Sequence, residues 1–124
     1  MCERTKIRND ITERLKNLKA NVYSNPRPIS YTDLPAVFVS YSGEYISLKA
    51  HPNLFARTLE ITIQGFVTGN TNDEADDMLK RIEDLLAPTK LELQEISFEH
   101  DSLSENLVGS FIMNYKIEYE EQKE

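Results

Sequence analysis

Arg57–Thr68, RTLEITIQGFVT, alternates apolar and polar side chains almost throughout. Leu59, Ile61, Ile63 and Val67 fall on one face, while Thr58, Glu60, Thr62, Gln64 and Thr68 fall on the other. A period of two is that of a strand with one buried and one wet face. Gly65 interrupts the apolar row and marks either a bulge or a close backbone approach. Past Gly69 and Asn70 the period changes. Ala75, Met78, Leu79, Ile82, Leu85 and Leu86 recur at the spacing of a helix. Thr71 and Glu74 stand as a capping box, in which each side chain satisfies a free amide at the other's position. Asp73, Glu74, Asp76 and Asp77 crowd the first turn, where the positive end of the helix dipole favours carboxylates. Asp76–Lys80 and Asp77–Arg81 are expected i,i+4 pairs, worth about 0.3–0.5 kcal/mol each. Pro88 ends the helix.

Upstream, Thr5 to about Asn21 reads as a first helix, with Ile7, Ile11, Leu15, Leu18 and Val22 in one stripe. A polar break containing Pro26, Pro28 and Pro35 leads to a short strand, Ala36–Tyr41, rich in β-branched and aromatic residues. The 14-residue segment Gly43–Ala56 has two readings. Its Gly, Asn and Pro suit a long binding or assembly loop, or Glu44–Leu48 extends the preceding strand. Downstream, strands are expected at Leu93–His100 and Leu107–Glu120, joined by a turn over Asp101–Asn106. Leu107, Phe111, Met113, Tyr115, Ile117 and Tyr119 share a face of the last one. The result is a single α+β domain over residues 1–124: a four-stranded, mainly antiparallel or mixed sheet with two helices packed on one face.

Composition limits the functions that such a domain can serve. The chain has 124 residues, 40% hydrophobic and 28% charged, as in an ordinary soluble globule. No apolar run approaches the roughly 20 residues that span a bilayer, and no signal-peptide pattern is seen, so no membrane partner is expected and synthesis in a cytoplasm is. A single cysteine, Cys2, excludes an internal disulfide. A net charge of −7 argues against general nucleic-acid binding. The charge is uneven. Residues 1–30 hold seven basic groups against three acidic ones, a surplus of four, which leaves −11 on the remainder. A solvated helix face explains this. So does attraction between copies, with Arg8, Lys16 and Lys19 of one meeting an acidic body, Asp76 and Asp77 included, on the next.

No constellation of catalytic residues emerges. His51 and His100 lack partners at metal spacing, and helix capping already accounts for the acidic run at residues 73–77. The glycines form no phosphate loop, and Ser40, Ser42 and Ser47 stand in no nucleophile elbow. The expectation is therefore a protein that is not an enzyme and holds neither cofactor nor metal.

A first helix, then Asp33-Leu34-Pro35-Ala36-Val37-Phe38-Val39, Gly43-Glu44-Tyr45, the Arg57–Val67 strand, the Asp73–Asp77 helix and Tyr115-Lys116-Ile117-Glu118-Tyr119 follow in order. This succession resembles the tail terminator proteins of long-tailed bacteriophages, the lambda-type minor tail protein U family. The resemblance implies a structural role in the virion tail: a homo-oligomer, a hexameric ring, that caps the tail tube, stops its polymerisation and offers a surface to the head-completion or connector protein. Its partners would be further copies, the tail-tube protein and the connector, assembled in the cytoplasm of a bacterial host. If Gly43–Ala56 is an assembly loop, Tyr45, Ile46, Leu48, Leu54 and Phe55 supply its apolar contacts. Two rival readings are a head–tail joining adaptor, which would bind the portal side, and a small-molecule-binding α+β domain, which would need a concave apolar pocket.

Overall fold

The computed structural model describes residues 2–25, 27–48, 54–68, 72–103 and 106–122. Helix α1 (Glu3–Leu15) is followed by a short strand β1 (Asn21–Tyr23), a 3-10 turn (Tyr31–Asp33), and the long strands β2 (Ala36–Leu48) and β3 (Leu54–Thr68). Helix α2 (Asn72–Leu86) then leads to β4 (Glu92–Leu103) and β5 (Asn106–Gln122). The sheet has five strands in the order β1-β2-β3-β5-β4. All neighbours are antiparallel except β1 and β2, which run parallel over Asn21↔Ala36 to Tyr23↔Phe38. The expected four strands thus become five, while the mixed α+β class stands.

The alternation in β3 does what its pattern requires. Leu59, Ile61, Ile63 and Val67 are buried and face both helices. Across the ladder, Ile63↔Met113, Ile61↔Tyr115 and Gly65↔Phe111 continue that face into β5. Val37 and Val39 continue it into β2. Ile11, Leu15 and Leu18 come down from the α1 side, and Ala75, Met78, Leu79, Ile82 and Leu86 from α2. Burying an aliphatic side chain of this kind contributes about 1.5–3 kcal/mol, so the helix-covered face is where stability resides.

Gly65 lies inside this face. A Cβ built on it falls 2.8 Å or less from Cε1, Cε2 and Cζ of the Phe111 ring. Of the two meanings open for an intrastrand glycine, close approach applies at Gly65, with the aromatic ring seated on bare backbone. The β2–β3 ladder has its register shift elsewhere, between Tyr41 and Gly43.

Helix α1 ends at Leu15, six residues before the predicted Asn21. The Leu18 amide closes a tight turn onto the Leu15 carbonyl at 2.9 Å, and the Asn21 amide donates to Pro35 O at 2.9 Å. Leu18 therefore reaches the core from a turn, and Val22 reaches it from β1. The segment at 43–56 is strand on both described flanks. Strand β2 continues to Leu48 and pairs back through Ser47↔Ala56 and Leu48↔Phe55. The loop reading is corrected there: backbone amides and carbonyls are taken up by a ladder. Residues 49–53, His51 among them, and the cap residue Thr71 lie outside the described residues. In α2, Lys80 Nζ lies 3.2 Å from Asp84, and neither predicted pair, Asp76–Lys80 or Asp77–Arg81, forms among the described residues.

Candidate interaction surfaces

The residues put forward for self-association fall in three places. On α1, Lys16 is exposed and paired with Glu13 at 3.0 Å. Lys19 is exposed beyond the end of the helix. Arg8 behaves differently: its guanidinium carbon lies 5.2 Å from the centroid of the Tyr41 ring, and its Nε is shielded from solvent. Arg8, put forward with Lys16 and Lys19 as a contact to the next copy, is thus partly engaged within its own chain. It sits off the apolar stripe of α1, but the Tyr41 ring from β2 rises to meet it.

Asp76 and Asp77 are both exposed on α2. Asp77 lines a groove of about 220 Å³ together with Glu74, Arg81, Met78, Leu18 and Lys19. Basic and acidic groups that were expected to meet between copies are thus partly neighbours within one chain.

Tyr45 and Ile46 lie on β2 and are 65% and 57% exposed. Leu48, Leu54 and Phe55 belong to the adjoining ends of β2 and β3, but their side chains fall outside those described. Register places Tyr45, opposite Thr58, on the helix-free face, and Ile46, opposite Arg57, on the helix side. They point to opposite faces of a strand, as period two demands.

Beneath this exposed stretch lies a polar cluster that pattern reading missed. Glu44 points to the helix side, where its carboxylate is only 14% exposed. Arg57 Nη1 lies 3.3 Å and Arg4 Nη1 3.5 Å from its Oε2, and the Tyr119 hydroxyl donates to Oε1. The Tyr41 hydroxyl donates to the Arg4 carbonyl at 2.9 Å, which fastens the start of α1 to the sheet. Burial, then the hydrogen bond to the Glu44 carboxylate, pushes the Tyr119 phenol well above its ordinary range. Tyr115, four residues earlier on the same face of β5, is pushed up to about 12, by burial first and by the Glu83 carboxylate second. Tyr115 Oη is buried with no hydrogen-bond partner among the described residues.

The helix-free face carries a smaller aromatic cluster. The Tyr23 and Phe38 rings lie 5.1 Å apart, Phe66 meets Phe38 edge-on at 5.9 Å, and the Arg27 guanidinium caps Tyr23 at 4.7 Å. A shallow groove of about 210 Å³ borders Phe38 and Phe66. Such contacts cover an otherwise wet face near β1.

The two edges of the sheet complete the surface. Among the described residues no strand pairs with the outer side of β4, or with β2 beyond Phe38. Among the described side chains, the large apolar ones left exposed are Tyr41, Tyr45 and Ile46 on β2 and Phe98 on β4, the last 56% exposed. Every one of them lies on a free edge.

No protein-family model matches the sequence, and no curated protein matches it. Among solved structures, the fold is similar to that of a chain in the structure described as "Virion of native gene transfer agent (GTA) particle". The superposition has a TM-score of 0.60 at 11% identity and covers 91% of this chain and 95% of the other. The architecture, nearly end to end, is one that is found in a component of a virion particle.

Proposed function

We propose that the protein is a virion structural component that forms a ring on the end of a tail tube, ends tube polymerisation and offers the surface to which a head connector attaches. The observation that carries this reading is the fold likeness over nearly the whole of both chains to a component of a gene transfer agent virion. Two further features support it. A closed ring needs two different contact surfaces on each copy, and this subunit has two dissimilar free edges, each with exposed apolar side chains. Its charge is also polarised, with four surplus positive charges in residues 1–30 and −11 in the remainder, which favours head-to-tail over like-to-like encounter.

The test is tube capping. Purified protein added to polymerising tail-tube subunits should shorten the tubes and leave a ring at one end in negative-stain images. Tubes of unchanged length, with the protein bound instead to portal rings, would assign it to head–tail joining. Tubes of unchanged length and no binding to either partner would refute a virion ring role.

A further inference from the structure

In the sheet order β1-β2-β3-β5-β4, successive antiparallel pairings make β4 antiparallel to β2. A second copy placed beside the first, with the same strand direction and with its helices on the same side, would bring its β2 edge against β4 in the antiparallel sense. We propose that the subunits join in this way: the outer edge of β4 of one copy pairs with the free 39–46 edge of β2 in the next, so that one sheet runs through the interface. This deepens the ring reading and rests on it.

Three observations favour this pairing over others. The exposed apolar side chains sit at the two edges it would cover, with Phe98 on β4 and Tyr41, Tyr45 and Ile46 on β2. The charges differ between the edges. Strand β4 presents exposed Glu92, Glu95 and Glu99, and the register puts Glu95, Ser97 and Glu99 on the helix-free face, opposite Asn114, Ile112 and Ser110. Pairing β4 with another β4 would set these carboxylates against their own kind, which is destabilising. The β2 edge instead presents Ser40, Ser42 and Tyr45, whose hydroxyls can donate to carboxylates, and the register sets Ser40 and Tyr45 on the same helix-free face as Glu95 and Glu99. Its own Glu44 lies on the helix side, held by Arg57 and Arg4. Acidic residues on an edge strand guard against like edges, and here that guard leaves the hydroxyl-lined β2 edge as the open partner.

The helix layer agrees with the sheet. Helix α1 packs toward β1 and β2, and α2 toward β3 and β5. Continuing the sheet therefore brings the β4-side flank of α2 toward α1 of the next copy. Residues 72–86 carry six acidic groups and two basic ones, and residues 3–19 carry six basic groups and three acidic ones.

The test compares amide exchange in dilute protein with that in protein assembled to ring mass by light scattering. In an antiparallel edge, alternate amides point outward. Alternate amides within 93–99 and within 39–46 should therefore slow at least tenfold on assembly. A second measurement uses cross-linking in a Cys2→Ser background, because Cys2 is exposed and its thiol is lowered mainly by a hydrogen bond with the Thr5 side chain. Mixed Ser97→Cys and Ser42→Cys proteins should give covalent dimers on oxidation well above the yield of either alone. Rings that form without added protection at these edges would overturn the pairing and leave the ring reading intact. Protection of β4 alone, with Ser97→Cys linking to itself, would also overturn it. Failure to assemble at any concentration, with or without tube subunits, would remove the ring reading and this pairing with it.

Discussion

Gly65→Ala adds one methyl group at the centre of the molecule, and the structure sets the scale of the damage. Gly65 is the direct partner of Phe111 across the β3–β5 ladder, and Phe111 is fully buried. The new Cβ would lie 2.8 Å or less from three ring atoms, whereas carbon atoms in good contact sit about 3.5–4.0 Å apart. The ring or the strand must therefore retreat by roughly 1 Å in a close-packed interior, and overpacking of this kind costs about 1–3 kcal/mol. Because the steric overlap involves three ring atoms, the upper end applies. Against it stands a gain of about 0.4–1 kcal/mol from the smaller conformational freedom of alanine in the unfolded chain. The net loss should be about 2 kcal/mol, or roughly 6–10 °C in Tm for a domain of this size. Urea unfolding followed by circular dichroism measures it. Phe111→Leu makes the room that the methyl group needs, so the double variant should be about 1–2 kcal/mol more stable than additivity allows. A Gly65→Ala protein within 0.5 kcal/mol of wild type, or strictly additive losses, would refute this account of the glycine.

The buried Tyr115 and the half-buried Tyr119 should respond in opposite ways to loss of the hydroxyl. Tyr115→Phe removes a buried group with no partner among the described residues and should be neutral or slightly stabilising, whereas Tyr119→Phe takes a donor from Glu44 and should cost about 1 kcal/mol in urea unfolding. Both phenols have their pKa raised on folding, so their contribution is complete below pH about 10 and is lost as pH rises through about 12 and beyond. Absorbance titration at 295 nm should show a delayed tyrosinate fraction that shrinks in each Phe variant. Lys16→Glu with Lys19→Glu should weaken ring assembly, most visibly at low salt where exposed charges are least screened, while leaving Tm within a few degrees; equal assembly at every ionic strength would remove α1 from the interface. Arg8→Glu should instead lower subunit stability by about 1 kcal/mol, through loss of its packing on Tyr41, which thermal unfolding of dilute protein would detect.

What the sequence disclosed and what it hid divide by the range of the interactions responsible. Leu59, Ile61, Ile63 and Val67 announce β3 because each residue's neighbours at i±2 carry the signal, and the helix after it is legible in the same way from Ala75 to Leu86. Strand β1 has only three residues, too few for any period, and it exists because the Asn21 amide reaches Pro35 O and because Ala36–Phe38 offer a parallel partner. The tail of β2 was ambiguous for a related reason. Gly43-Glu44 looks like a turn, and a glutamate on the helix side of a strand contradicts an apolar pattern. That position is tolerated only because Arg57, Arg4 and Tyr119 converge on the carboxylate, the last from 75 residues away. Arg8 follows the same rule: helical spacing puts it off the core stripe, and Tyr41, which gives it a partner, comes from another element. The candidate surface follows this rule too. Tyr45, Ile46 and Phe98 are ordinary strand residues in the sequence. Only the strand order reveals that they border unpaired edges, and with that order known, the mismatch in charge between the β4 and β2 edges makes joining unlike edges the less costly way for one copy to meet another.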